Sequence, residues 1–102
     1  MSSKPQLFSL GQVVATPGVL RMLAEVGRHP IEFLVSHVTG DFGDLCEEDK
    51  QANTAAIAHG GRVLSSYRVG PENSWKVWII SEGRNADGSQ YYATTLLLPE
   101  EY

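Results

Sequence analysis

The sequence predicts a single α+β domain, in which N-terminal helices pack on a C-terminal antiparallel sheet of three to four strands. The chain has 102 residues, of which 42% are hydrophobic and 20% are charged, and this make-up suits one globular core. Apolar residues recur with a helical period in the first half of the chain and with a period of two in the second half. We therefore expect one domain over residues 7–102, preceded by a flexible polar tail at residues 1–6.

The first strand and the first helix are predicted next to each other. Residues 7–15 are apolar and partly β-branched, so we expect a short strand, either at a sheet edge or beside the last strand. Thr16 favours a helix start, because its hydroxyl can accept a hydrogen bond from an unpaired backbone N–H, and Pro17 is well tolerated at the first helical position. Gly27 is typical of the left-handed residue that ends a helix.

Two further helices follow. His29 and Pro30 predict the start of the second helix, and Gly40 predicts its end. Its apolar stripe consists of Ile31, Leu34, Val35 and Val38. The third helix is expected from about Glu47 to His59, with Asp44 as a candidate cap. Its apolar residues are small, which suits a helix that lies close against a sheet.

The rest of the chain alternates as strands do. Residues 62–69 and 75–81 predict a hairpin around a turn at residues 70–73, and a polar loop at 82–90 leads to a last strand at 91–98. The second of these strands has bulky groups on both sides, with Trp75, Val77 and Ile79 on one side and Trp78 and Ile80 on the other. We therefore expect a central strand that is covered on both faces, or one whose second face is an interaction surface.

The charge of the chain is concentrated in one segment. Eight Lys and Arg against twelve Asp and Glu give a formal net charge of -4, which disfavours direct nucleic-acid binding. Residues 41–50 contain one base, Lys50, and five acids: Asp41, Asp44, Glu47, Glu48 and Asp49. These acids fit a solvated helix start. They also fit paired carboxylates for acid-base chemistry, or an acidic docking patch for a basic protein partner.

Other chemistry has little support in the residues. The three histidines, His29, His37 and His59, each have a structural explanation within or beside a helix. No spacing typical of a metal site, a phosphate loop or a dinucleotide-binding turn occurs, so no metal and no cofactor is expected. The single cysteine, Cys46, indicates a reducing compartment, and no apolar run approaches the length of a membrane helix. We therefore expect a cytoplasmic protein that does not enter a membrane.

One set of side chains is similar in outline to the small α+β ribonuclease toxins. In such a site, His, Arg, hydroxyl and Tyr side chains would hold and cleave an RNA phosphodiester. The set consists of His59, Arg62, Ser65, Tyr67, Arg68, Arg84, Thr94 and Thr95.

Nearly the whole chain, residues 7–102, resembles a family of small bacterial proteins found on plasmids and integrated mobile elements. The matching segments are GDFG at 40–43, EDK at 48–50, HGGRVLSSY at 59–67, VWIISE at 77–82 and TTLLLPEEY at 94–102. Members are labelled plasmid-related or, misleadingly, a type I restriction endonuclease subunit M. This chain lacks the glycine-rich turn of a doubly wound cofactor domain, so we reject a methyltransferase activity. The resemblance implies no catalytic residues, and the loop at 82–92 is longer than the family's.

We expect a non-enzymatic accessory protein of a mobile element that binds a macromolecular partner, with a host defence system such as restriction or CRISPR as the target. The candidate partner-binding residues are the five acids named above and the aromatic residues Trp75, Trp78, Tyr91 and Tyr92. The alternative function is enzymatic, a small RNA-cleaving domain similar to a toxin. A structural homodimer that pairs through its second sheet face is the third reading.

Overall fold

The computed structural model describes residues 5–84 and 91–102, with Arg84 described by its backbone alone, and it has the α+β fold that the sequence predicts. The helices are α1 (Pro17–Val26), α2 (Pro30–Val38) and α3 (Glu47–His59). The strands are β1 (Gln12–Ala15), β2 (Val63–Val69), β3 (Trp75–Arg84) and β4 (Tyr91–Leu97). Short 3₁₀ turns occur at Pro71–Asn73 and Pro99–Glu101. Residues 1–4 of the predicted tail and most of the 82–90 loop lie outside the described residues.

The four strands form one mixed sheet in the order β1-β4-β3-β2. The pairs β2–β3 and β3–β4 are antiparallel, as predicted, but β1 runs parallel to β4. The expectation of a wholly antiparallel sheet is therefore wrong for β1. All three helices separate β1 from β2, and a connection of that length can return the chain in either direction. The placement of β1 at an edge and beside the last strand is confirmed.

The predicted first strand is shorter than residues 7–15. Gly11 has a φ of 67°, and a Cβ there would lie 2.1 Å from the Tyr91 carbonyl oxygen, so regular pairing starts only at Gln12. Before that point the backbone makes no ladder with β4, and its first hydrogen bond is to the end of α2. The Leu7 N–H donates to the Val38 carbonyl at 2.7 Å, and Phe8 is buried.

The helices begin and end where local signals predict. The Thr16 hydroxyl accepts from the Val19 N–H at 3.2 Å, and the left-handed Gly27 ends α1. The start of α2 is a capping box with His29. Its buried stripe is Phe33, Leu34, His37 and Val38, whereas Ile31 and Val35 of the predicted stripe are exposed. No helix of the described residues is long and apolar enough to cross a membrane.

The core lies between the helices and one face of the sheet, which we call the covered face. Val77 and Ile79 of β3 pack there against Leu23 of α1 and Phe33 of α2. A second buried cluster joins α3 to this face: Phe8, Val38, Phe42, Ala56, Val63 and Tyr91.

The opposite face contacts the C-terminal segment. The Trp78 and Tyr102 rings lie 5.9 Å apart, and the Arg62 guanidinium stacks on Tyr102. Ile80 is buried on this side, so β3 is a central strand with bulky groups against both faces, as predicted.

Candidate functional site

The acidic segment at residues 41–50 is partly neutralised by β2 and β3. The Asp44 carboxylate accepts from Arg68 Nε at 2.7 Å and lies 4.0 Å from Lys76 Nζ. Arg68 and Lys76 are directly opposite each other in the β2–β3 ladder. A carboxylate between two opposed cations removes the repulsion that like charges would otherwise cause there.

Asp44 does not cap α3. The residue in the cap position is Cys46, and it makes no side-chain cap hydrogen bond. The expectation was wrong because Arg68, which is distant in sequence, takes the Asp44 carboxylate.

The other acids of this segment are exposed to solvent. The Asp41 carboxylate accepts from the Gly43 N–H at 3.2 Å and so orders the turn before α3. Glu47, Glu48 and Asp49 form the first turn of α3, where the helix dipole favours negative charge. This group therefore combines a structural role with an exposed anionic surface.

The four aromatic candidates do not form one surface. Trp75 is 38% exposed and Tyr92 is 62% exposed, whereas Trp78 is half-buried on the opposite face of the sheet from Trp75. Tyr91 is only 2% exposed and packs edge-on to Phe8, so the exposure expected of it was wrong. Alternation alone could not show this, because Tyr91 is covered by Ala56 of α3, which is distant in sequence.

Trp75 separates two surface clefts, which together we call the Trp75 surface. The first cleft has a volume of about 410 Å³ and the second has about 430 Å³. The first is lined by Met22, Ser74, Trp75, Lys76, Leu98, Pro99 and Glu100. The second is lined by Glu25, Val26, Arg28, Gly70, Pro71 and Trp75. Each cleft is lined by apolar side chains together with one acid and one base, so the surface suits a segment that places apolar groups beside polar ones.

The turn beside Trp75 has an unusual backbone. A Cβ on Gly70 would lie 2.8 Å from the Trp75 ring, so only glycine allows the ring to lie against the chain there. Glu72 and Asn73 both have a φ of 55°, in the left-handed region that side chains other than Asn and Asp rarely adopt. Strained residues of this kind are frequent near binding sites.

Lys76 connects the acidic segment with the Trp75 surface. It lies near Asp44 and also lines the first cleft. Arg68 makes a second connection, because its Nη1 is 3.4 Å from the Asn73 carbonyl in the turn. A partner seated against Trp75 would therefore be within one side chain of Asp44, where the acidic segment begins to approach this surface.

The ribonuclease-like set is divided between the two faces of the sheet. Ser65, Tyr67 and Thr94 are buried on the covered face, and the Tyr67 hydroxyl donates to the Asp41 carbonyl at 2.6 Å. Burial raises the pKa of Tyr67. Arg68 belongs to the opposite face, and its guanidinium binds Asp44. The described members of the set therefore do not converge on one phosphate position.

A buried chain of polar side chains, which the sequence alone does not predict, crosses the covered face. The His37 imidazole lies between two hydroxyls, with Nδ1 2.6 Å from Ser65 Oγ and Nε2 2.9 Å from Ser81 Oγ. Ser81 Oγ is 2.6 Å from Thr94 Oγ1, which donates to the Leu10 carbonyl at 2.7 Å. All four side chains are fully buried. A detectable signal was the presence of small hydroxyl residues at core-facing strand positions.

This chain has one consistent proton order. Thr94 donates its only hydroxyl proton to Leu10, so it must accept from Ser81, and Ser81 must in turn accept from His37 Nε2–H. Burial lowers the pKa of the imidazole to about 4, so it is neutral at pH 7, and His37 Nδ1 then accepts from Ser65. A Ser–His pair at this distance could serve as nucleophile and base, but this pair is sealed from solvent and ties α2 to the sheet.

Among residues 5–84 and 91–102, no group of three or more His, Cys, Asp or Glu side chains is arranged to hold a metal ion. Comparison of the chain with protein-family models, with curated proteins and with solved structures gives no match.

Proposed function

We propose that the protein is a non-enzymatic binding module that holds a segment of a protein partner on the Trp75 surface. The observation that carries the proposal is the half-exposed Trp75 ring between two clefts of comparable volume. Tryptophan is the residue type most enriched at energetic centres of protein interfaces, where it packs in a desolvated pocket. Each cleft is large enough for an apolar side chain, so an extended segment could cross the ring with one side chain on either side.

Charge supports a partner with a basic region beside this apolar anchor. Each cleft has one acid and one base at its rim, so the clefts themselves favour no sign of charge. Lys76, which lines the first cleft, lies near Asp44 of the acidic segment. Three other members of that segment, Glu47, Glu48 and Asp49, are exposed. Complementary charge at a rim mainly accelerates association and selects the partner, whereas the apolar centre supplies most of the affinity.

The biological setting follows from the family resemblance. A small accessory protein of a mobile element would act by occupying a component of a host defence system, such as a restriction or CRISPR enzyme. Nucleic-acid-binding surfaces of such enzymes are cationic, which fits an acidic rim.

The test is a comparative capture from bacterial lysate with the full chain immobilised as wild type, Trp75→Ala and Tyr92→Ala. Tyr92 is the matched control, because it is an exposed aromatic residue that lines neither cleft. We expect a protein that wild type and Tyr92→Ala retain, and that Trp75→Ala binds about thirtyfold more weakly, which corresponds to a loss of about 2 kcal/mol. Circular dichroism checks that each variant is folded.

The charged rim is tested by reversing Glu47 and Glu48 together, because neither makes an ion pair among the described residues. This double variant should slow association and reduce its dependence on salt while leaving the dissociation rate nearly unchanged. Equal retention by wild type and Trp75→Ala would refute the proposal. Loss of binding on reversal of Glu47 and Glu48 with no effect of Trp75→Ala would instead place the partner on the acidic segment alone.

A further inference from the structure

The two edges of the sheet differ in how their backbone groups are paired. At the β2 edge the side-chain amide of Asn53 donates to the Leu64 carbonyl at 2.7 Å and accepts from the Leu64 N–H at 3.0 Å. The Ser66 N–H donates to the Phe42 carbonyl at 3.1 Å, and the Asp44 N–H donates to the Ser66 carbonyl at 2.5 Å. The outward backbone groups at these two positions of β2 are therefore all paired within the chain.

The β1 edge has no such cover among the described residues. The Thr16 N–H donates to the Leu96 carbonyl at 3.0 Å, and alternate residues of a strand point the same way, so Gln12 and Val14 also face β4. Val13 and Ala15 therefore direct their N–H and C=O groups away from the sheet. No hydrogen bond within the described part of the chain uses them.

The usual devices that prevent pairing at an open edge are also missing from β1. Natural edge strands contain lysine, proline, a bulge or an inward charge. Gln12–Ala15 contains none of these, and residues 5–20 contain no charged side chain at all. Val13 is 44% exposed and Val14 is 40% exposed, so a partly exposed valine lies on each face of the sheet beside the unpaired backbone.

We infer that β1 pairs with β1 of a second copy of this chain, antiparallel about a two-fold axis, to form a continuous eight-stranded sheet. The edge is self-complementary, because each outward residue offers one donor and one acceptor, and two uncharged copies do not repel each other. The register centred on Val14 pairs Val13 with Ala15 of the second copy, and this forms hydrogen bonds at both outward residues. A register centred on Val13 would need Gly11 in extended conformation, but its φ is 67°.

In this register the two Val14 side chains meet at a non-hydrogen-bonded position, where the Cβ atoms of antiparallel strands come closest. Val14 is aligned with Thr95 of β4 and thus lies on the face opposite the helices. Four-residue strands bury little area by themselves, so we expect the dimer to exchange with monomer in a concentration-dependent manner.

The test combines oligomeric state with a register-specific crosslink. Analytical ultracentrifugation from micromolar to millimolar concentration should show a monomer–dimer equilibrium. Val14→Lys should raise its dissociation constant by about tenfold or more, since two lysines would oppose each other at the axis. Val35→Lys is the matched control, because Val35 is an exposed valine on α2.

In a Cys46→Ser background, Val14→Cys should form a disulfide-linked dimer on mild oxidation. Val13→Cys should not, because Val13 faces Ala15 of the second copy and its symmetry mate lies on a diagonal. A chain that stays monomeric at every concentration overturns the inference, and so does a dimer that Val14→Lys leaves intact. Crosslinking through Val13→Cys in place of Val14→Cys overturns the register. None of these outcomes depends on the partner of the Trp75 surface.

Discussion

The two edges of the sheet differ in whether their outward backbone N–H and C=O groups have hydrogen-bond partners. At β2 a helix side chain and a loop supply the hydrogen bonds that a neighbouring strand would make, through Asn53 and the chain around Gly43. At β1 the outward backbone groups have no partner among the described residues. This strand is only four residues long and lies between Gly11 and Thr16. Two outward positions of β2 are therefore closed by contacts within the chain, whereas no described residue covers the outward groups of β1.

The largest effect that separates the edges is expected for Asn53→Ala. The substitution leaves the Leu64 N–H and C=O without their partner beside α3, and we expect a loss of about 3 kcal/mol in the free energy of unfolding. Alanine favours the helix more than asparagine does, so helix propensity would oppose this loss. Denaturant unfolding measures it. Gln51→Ala is the matched control, because Gln51 is an exposed amide on the same helix.

The corresponding change at the open edge is Val14→Ala, for which we expect a loss below about 1 kcal/mol, since the side chain is already partly in solvent. Similar losses for Asn53→Ala and Val14→Ala would contradict the contrast between the edges. Amide hydrogen exchange gives a second measurement. The amides of Leu64 and Ser66 should be more protected than those of Val13 and Ala15 in the monomer.

A smaller loss, about 2 kcal/mol in the free energy of unfolding, is expected when the pH falls from 7 to 5. The chain of hydroxyls around His37 joins β2, β3 and β4 to the segment before β1. Protonation of His37 in acid should therefore destabilise the packing on the covered face. The pKa of His37 is about 4 in the folded protein and about 6.5 when unfolded. Between these values the unfolded chain binds more protons, so stability is complete above pH 6.5 and falls as the pH drops towards 4.

Denaturant unfolding at pH 7 and pH 5 measures this effect, and the interval avoids most of the titration of the carboxylates. His37→Gln should flatten the dependence, whereas His59→Gln should keep it, because His59 is exposed at the end of α3. If His37→Gln does not fold, nitrogen NMR of the wild-type imidazole replaces it, with a proton expected on Nε2 and none on Nδ1 at pH 7. Equal stability at pH 7 and pH 5 would show that the imidazole is not held neutral.

Local signals predicted much of this fold, and contacts between distant residues explain the differences. Helix bounds followed from Thr16, Gly27 and neighbouring caps, because a cap acts within a few residues of the chain. The parallel pairing of β1 was not predictable from period or turns, since its partner β4 lies near the other end of the sequence. The same reason applies to His37, whose hydroxyl partners lie 28 and 44 residues away.

The candidate site also has parts that local sequence predicts and parts that it does not. Trp75 and the acids of the third helix were identified from residue type and local charge, and both are exposed. The clefts on either side of Trp75 were not identified, because their walls come from α1, the β2–β3 turn and the C-terminal segment. A concave surface built by three separate parts of a chain has no signature in any one of them.

The smallest effect is expected at the turn that joins β2 to β3, where the Trp75 surface meets the β2 edge. Glu72 has a φ of 55° and a ψ of 25°, a conformation that costs most side chains about 1 kcal/mol and that asparagine tolerates. Glu72→Asn should therefore raise the free energy of unfolding by about 0.5 kcal/mol, and Asn73→Ala, at the same φ, should lower it by about 1 kcal/mol. Thermal unfolding resolves the pair because the two shifts have opposite signs. If Glu72→Asn stabilises the fold but weakens partner binding, the strained turn is maintained for the Trp75 surface; if it changes neither, the turn is not under strain.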